Sequence, residues 1–106
     1  MRPIPKKLRS ELSQDPFYKQ CCITGSKKNI QFHHNFIWAG RQINEKWCIL
    51  PLTKSIHDMI WKREVKEQCD WIMLNRASGE ELEKYGRITN LIHKRDYLNK
   101  KFGNSR

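Results

Sequence analysis

The sequence predicts an α+β protein in which a two-stranded hairpin, and the helix that follows it, are embedded in further helices. Residues 30–33 alternate apolar and polar side chains as a half-buried strand does, and residues 47–50 form a second apolar run closed by Pro51. Beyond Pro51 the apolar residues recur at helical spacing. One hairpin combined with several helices is typical of the α+β class.

The chain before the second strand predicts one short helix, a turn and a loop. Leu8 and Leu12 lie one helical turn apart within residues 6–14, which predicts a helix there. Residues 25–29 (Gly-Ser-Lys-Lys-Asn) have the composition of a turn that leads into the first strand. Residues 35–46 are predicted to form the loop between the two strands.

The helix after the hairpin is predicted from spacing and capping. Ile56, Met59 and Ile60 follow helical spacing, which predicts one helix through this segment. Thr53 or Ser55 is a suitable N-cap, because a hydroxyl oxygen accepts a hydrogen bond from the exposed backbone N–H groups of the first turn.

The rest of the chain is predicted to be helical. Residues 65–76 continue the helical pattern with apolar side chains on one side. Residues 78–81 (Ser-Gly-Glu-Glu) form a capping box that opens a short helix, and Gly86 is expected to end it. An apolar stripe over residues 88–102 predicts a last helix whose opposite face is basic.

Length, charge and hydropathy predict one basic domain over residues 1–106. Lys and Arg number 21 against 11 Asp and Glu, a formal charge of +10, and the pI is near 9.7. This balance is typical of nucleic-acid-binding domains, the alternative being a solubilising surface. We expect a cytosolic protein with no membrane partner, since no apolar run approaches about 18 residues and the first residues lack a secretory signal.

The four cysteines predict buried thiols. In a reducing cytosol Cys21, Cys22, Cys48 and Cys69 are expected to remain free and to pack as small apolar side chains. A vicinal pair chelates zinc poorly compared with C-x-x-C, and the chain contains no C-x-x-C pair. A structural zinc site is therefore not favoured.

Three histidines are the candidate functional residues. His33 and His34 end the first predicted strand, and His57 lies near the start of the following helix. Neutral imidazole binds divalent metal ions, and its pKa near 6.5 suits a general base. Because neighbours in a strand point to opposite faces, the strand must end or twist at His33 and His34 for both to serve one site.

Three segments, in this order, resemble the core of the HNH endonucleases, also called ββα-metal or His-Me finger nucleases. They are Cys-Cys-Ile-Thr-Gly at 21–25, Gln-Phe-His-His at 31–34 and Leu-Pro-Leu-Thr-Lys-Ser-Ile-His at 50–57. The resemblance covers residues 21–65, and residues 66–106 form a basic helical part outside it. The loop containing Gly40, Lys46 and Trp47 also resembles small phage-type HNH proteins, some of which act in recombination.

The resemblance implies a metal-dependent DNA endonuclease or nickase of low sequence specificity. It implies that His33 and His57 bind one divalent ion (Mg, Mn, Zn or Ni) and that His34 is the general base. The expected products carry 5′-phosphate and 3′-hydroxyl ends. DNA is the expected partner, with RNA not excluded, and a phage-encoded protein would act in the host cytoplasm.

The chain departs from the family pattern at two positions. The motif's middle Asn falls on Cys48, so Asn44 would have to take its role from a shifted register. The further His found in the colicin-type branch falls on Trp61. The metal site would therefore consist of His33, His57 and waters alone, or Asp58 would join it; Asp58, Asn44 and Cys48 are the candidates to complete the site or support it.

Loop residues provide candidate contacts to nucleic acid. Arg41 and Lys46 lie beside the expected cleft, where they would either contact phosphates or remain solvated. Trp38 and Trp47 would stack on bases or lie in the core, and the core is favoured.

Two further functions remain open on the sequence. A non-catalytic nucleic-acid-binding protein on a degenerate HNH core is consistent with Cys48 and Trp61. An interaction module stabilised by a metal ion bound to Cys21, Cys22 and histidines is the other.

Overall fold

A computed structural model describes residues 3–35, 43–85 and 91–103, and it shows an α+β protein with one two-stranded antiparallel sheet. The strands are β1 (Ile30–His34) and β2 (Ile49–Thr53). The helices are α1 (Lys6–Gln14), α2 (Lys54–His57), α3 (Arg63–Arg76), α4 (Gly79–Tyr85) and α5 (Leu91–Gly103), and single 3₁₀ turns occur at Pro16–Lys19 and Lys46–Cys48. Within the described residues no helix is long and apolar enough to cross a membrane.

The N-terminal helix packs on one face of the hairpin. The prediction of a helix over residues 6–14 is confirmed, and its Leu12 is fully buried. Leu12 packs in a small apolar cluster with Ile4, Tyr18 and Ile49. The Tyr18 hydroxyl lies 2.6 Å from the carbonyl oxygen of Lys46 and 2.8 Å from that of Ile49, so it ties this region to the start of β2.

The second strand lies further along the chain than predicted. The prediction of a strand at residues 47–50 that Pro51 closes is wrong, because β2 includes Pro51, which pairs with Phe32. A proline is acceptable at a sheet edge, where no ladder hydrogen bond is needed from its nitrogen. Its carbonyl oxygen accepts a hydrogen bond from the Cys22 N–H at 3.0 Å, which joins the preceding loop to this edge.

The hairpin lies between two apolar clusters. All five residues of β2 are buried. Ile49 packs with the cluster beneath α1, whereas Leu50 and Leu52 pack in the larger cluster that includes residues of α3, α4 and α5. Residues directly opposite each other in an antiparallel pair share a face. His33 pairs with Leu50 and His34 with Ile49, so the two imidazoles start from opposite faces of the hairpin.

The helix predicted after the hairpin is interrupted. Thr53 caps α2 as predicted, its hydroxyl oxygen accepting a hydrogen bond from the Ile56 N–H at 3.3 Å. The helix ends at His57, however, and residues 58–62 form a series of tight turns before α3 begins. A prediction from spacing could not detect this break, because Ile56 and Ile60 both still pack on the main core.

The later helices follow the predicted pattern. The capping box is confirmed, since the Ser78 N–H donates to Glu81 Oε1 at 2.9 Å and the Glu81 N–H donates to Ser78 Oγ at 3.1 Å. Leu91 and Leu98 on α5 are buried against the main core, as the apolar stripe predicted. The expected helix end at Gly86 lies outside the described residues.

The Tyr18 hydroxyl is expected to contribute measurably to stability. Tyr18→Phe leaves the carbonyl groups of Lys46 and Ile49 without their shared donor, so the free energy of unfolding should fall by about 1–3 kcal/mol. Urea denaturation at neutral pH measures this change. Tyr97→Phe is the matched control, since Tyr97 is 54% exposed and should change stability by less than about 0.5 kcal/mol. Equal, small effects in both variants would contradict the role of Tyr18.

Candidate functional site

The structure brings His33 and His57 into direct contact. Nδ1 of His33 lies 3.2 Å from Nε2 of His57, and the ring centroids are 4.9 Å apart. The hairpin fixes His33 near the end of β1, and the Thr53 cap starts α2 directly after β2. His57, the last residue of this short helix, is thereby turned back toward β1.

Gln31 orients the His57 ring. Gln31 Oε1, which can only accept a hydrogen bond, lies 2.7 Å from Nδ1 of His57. Neutral His57 therefore carries its proton on Nδ1 and directs the lone pair of Nε2 toward His33. A histidine that binds metal usually donates its other ring N–H to a carbonyl in this way.

The second ring nitrogen of His33 is buried without an ordinary hydrogen bond. In the neutral pair, His33 must donate from Nδ1 to Nε2 of His57, so its own Nε2 is an acceptor. Within the part of the chain that the structure describes, this Nε2 has no hydrogen-bond partner. A buried polar atom left in this state costs about 1–3 kcal/mol.

Burial and neighbouring charge disfavour protonation of His33. Burial lowers the pKa of His33 to about 4, and the positive charges of His57, Lys66 and His34 act in the same direction. The Asn35 side chain is close enough to oppose this shift by hydrogen bonding to the protonated ring. His33 is therefore neutral at physiological pH, as a metal ligand must be.

A buried polar network supports Asn35. Its amide nitrogen donates to Asp70 at 2.8 Å, and its oxygen accepts from the Lys66 ammonium at 3.2 Å. Asp70 is only 3% exposed and also pairs with Lys66 and, at 3.3 Å, with Lys94 of α5. These contacts hold the Asn35 oxygen in a fixed orientation beside His33.

The spacing of the two imidazoles fits two ligands of one metal ion. Two nitrogens that each lie about 2.0–2.1 Å from an ion, at a near-tetrahedral angle, are about 3.3 Å apart, and the observed separation is 3.2 Å. If the Nδ1 lone pair of His33 faced an ion, Nε2 would carry the proton, and the Asn35 side chain lies close to this ring. The residues present therefore fit a metal ion.

His34 has a different partner. Its Nε2 lies 3.0 Å from Oδ1 of Asn44, an acceptor, so neutral His34 donates a hydrogen bond from Nε2. The strand ends at His34, as a shared site would require. Asn44, rather than the residue at position 48, provides the supporting amide.

Cys48 and the other cysteines belong to the core. Cys48 is buried, burial raises its thiol pKa, and its carbonyl oxygen accepts a hydrogen bond from the Asn35 N–H at 2.8 Å. All four cysteines are free thiols, as predicted. Burial also raises the pKa of Cys22 and of Cys69 to about 12. Across residues 3–35, 43–85 and 91–103, no group of three or more His, Cys, Asp or Glu converges on one point.

The remaining candidate residues lie in other surroundings. Asp58 is exposed and pairs with Lys54 at 2.8 Å. Lys46 pairs with Asp15 at 2.7 Å, and this hydrogen bond holds the pKa of the Asp15 carboxyl below its usual value. Trp47 is buried, which confirms its predicted place in the core. Arg41 and Trp38 lie outside the described residues.

Sequence reasoning missed the residues that support the histidines. Gln31 lies two positions before His33 in β1, and strand periodicity alone would have placed both on one face. Asp70 had a weaker signal, a carboxylate between apolar positions of α3. Asn35 and Lys66 gave none, because their contact joins positions 31 residues apart.

Comparison with known proteins adds no relative. No family model matches the chain, and neither a curated protein nor a solved structure is significantly similar to it. Function must therefore be inferred from the site itself.

The depressed pKa of His33 predicts a loss of stability in acid. Its ordinary pKa is 6.5 and its folded value is about 4, so between these values the unfolded chain binds more protons. The contribution of neutral His33 is complete above pH 6.5 and is lost as the pH falls to 4, amounting to about 3 kcal/mol. Urea denaturation with EDTA, from pH 7 to pH 4, measures it.

Two variants isolate this contribution. His33→Gln should show a shallower decline in stability over the same range, because the titrating ring is gone. Tyr97→Phe, which changes a residue of α5 that is 54% exposed, should decline as the unmodified protein does. Parallel curves for His33→Gln and the unmodified protein would contradict the assignment.

Proposed function

We propose that the protein is a metal-dependent endonuclease or nickase of the HNH type, built on a ββα-metal core of β1, β2 and α2. The observation that carries the proposal is the contact of His33 with His57, at a separation that suits two ligands of one ion. The order hairpin, capped short helix and terminal histidine supports the same proposal. DNA is the proposed substrate, given the formal charge of +10.

His33 and His57 would hold the ion, with Gln31 fixing the orientation of the His57 ring. When bound, a divalent ion supplies a positive charge that polarises the scissile phosphate and stabilises the leaving oxygen. Two protein ligands leave positions open for phosphate oxygens and water.

His34 is the proposed general base. Nε2 of its ring lies 3.0 Å from Asn44 Oδ1, a contact that would orient the ring, and a neutral imidazole can remove a proton from the attacking water. His33 and His34 belong to opposite faces of the hairpin, but both lie at the end of the same strand. A phosphate placed at the end of β1 would have one imidazole on each side, which separates the proton acceptor from the metal ligand.

Two ammonium groups lie near this edge. Lys66 and Lys94 both pair with Asp70, and each has a side chain that is 35% exposed. Two lysines around one carboxylate leave a net positive charge beside His33. Such a charge favours a phosphate and stabilises the additional negative charge of the transition state.

A non-catalytic nucleic-acid-binding protein is the second candidate. His34 and its contact with Asn44 lie on the face of the hairpin opposite to His33, and this placement favours the second candidate. A single phosphate would have to reach both faces to contact both histidines. Tight DNA binding in EDTA, together with no cleavage by any divalent metal, would support this candidate instead.

The proposed activity predicts nicking of supercoiled plasmid by the purified protein with Mg²⁺ or Mn²⁺, and none with EDTA. His34→Ala should lower the rate by about 10²–10⁴-fold, the usual contribution of a general base. Metal binding by His34→Ala, measured by calorimetry, should be unchanged because the ligands remain. His93→Ala is the matched control and should nick normally. Undiminished nicking by His34→Ala would contradict its role.

The contact of Gln31 with His57 predicts that a substitution of Gln31 lowers the affinity for the metal ion. Gln31→Ala removes the acceptor that fixes the His57 tautomer, so metal affinity should fall by about 10–100-fold. Calorimetric titration with Mn²⁺ or Zn²⁺ measures this affinity. Gln20→Ala, at an exposed position outside the site, is the control and should bind metal normally. Equal affinities in the two variants would show that Gln31 does not support the site.

A further inference from the structure

Trp61 has a large apolar side chain that is exposed to solvent. It is 76% exposed, more than the exposed Tyr97 at 54%. The other two described tryptophans have partners within the fold. Trp47 is buried in the core, and Trp71 stacks on Phe102 and donates a hydrogen bond to Asn99. Nothing in the folding of the described chain accounts for the exposed indole.

The backbone around Trp61 is well held. Within the segment between α2 and α3, the Ile60 N–H donates to the His57 carbonyl at 3.2 Å, and the Lys62 N–H donates to the Met59 carbonyl at 2.9 Å. Ile60 packs on the main core next to Trp61. The indole is therefore presented from an ordered turn, and little conformational entropy opposes the use of its face in binding.

The surroundings of Trp61 are cationic, and the residue lies near His57 in the sequence. Trp61 follows His57 by four residues. The Lys62 ammonium lies 5.6 Å from the indole ring centroid, and the Arg63 side chain is 83% exposed, with its Nε 3.8 Å from Glu67 Oε1. An apolar ring bordered by two cations matches one nucleotide, since the base provides a flat face to stack on and the phosphate provides the charge.

We infer that Trp61 stacks on an unpaired nucleobase beside the scissile phosphate, with Lys62 and Arg63 contacting the adjacent phosphates. The inference rests on the proposed nuclease function and narrows its substrate to DNA with a single-stranded or unstacked segment. In intact duplex both faces of each base are covered by its neighbours, so the indole gains no stacking partner there.

DNA binding measured in EDTA, where metal-dependent cleavage does not occur, tests this inference. Anisotropy of a fluorescein-labelled single strand and of the corresponding duplex gives the affinity of each variant. Trp61→Ala should weaken single-strand binding by about 5- to 150-fold, the range given by one base–aromatic stack, and should change duplex binding little. Trp61→Phe should retain most of the affinity because it keeps an aromatic face. Tyr97→Ala, which removes an exposed aromatic of α5, is the matched control and should bind normally.

Abasic substitution locates the stacked base. When the base at the stacking position is removed, the unmodified protein should bind as weakly as Trp61→Ala, and the two losses should not add. Equal weakening on single strand and duplex, or unchanged binding by Trp61→Ala, would overturn the inference. So would the same loss in Tyr97→Ala. Selective loss in Trp61→Ala, with no cleavage of single-stranded DNA or of supercoiled plasmid by the unmodified protein with Mg²⁺ or Mn²⁺, would refute the nuclease proposal alone.

Discussion

The pairing of β1 with β2 is the constraint on which the rest of the site depends. Both faces of the hairpin are covered, by α1 on one side and by the cluster of α3, α4 and α5 on the other. A one-residue slip would exchange the faces of every side chain in β2, moving Leu50 and Leu52 out of the main core. The same register decides that His33 faces His57 and that His34 does not. Packing of apolar residues therefore determines the geometry of the polar site.

The polar network around Asp70 extends this constraint to the C-terminal helix. A buried carboxylate is costly unless it is paired, and here Asn35, Lys66 and Lys94 all contact it. These partners come from the end of β1, from α3 and from α5. Removal of Asn35 would take one hydrogen bond from Asp70, and removal of Lys66 or Lys94 would take one of its two ion pairs. We therefore regard the helical part beyond residue 65 as support for the histidine pair, although the sequence resemblance does not include it.

The sequence predicts well what neighbouring residues determine. The Thr53 cap, the capping box of Ser78 and Glu81, and the helix over residues 6–14 follow from local propensity and spacing, and each is present. The predicted bounds of the second strand were wrong because a proline is tolerated in a strand at the edge of a sheet. Only the tertiary structure shows that β2 is such a strand, since the described residues form a sheet of two strands. The contact of Gln31 with His57, and the network of Asp70, depend on tertiary packing that no local pattern records.

The charge around the histidine pair links metal binding to substrate binding in the proposed function. His33 is neutral, and the two lysines beside Asp70 leave a net positive charge nearby. A divalent ion that enters alone meets this repulsion, whereas a phosphate is attracted by the same lysines and brings the opposing negative charge. Each ligand thus improves the site for the other, and thermodynamic linkage makes this gain reciprocal. In the proposed function, two imidazole ligands would then suffice without a carboxylate, because the substrate phosphate would supply the negative oxygen.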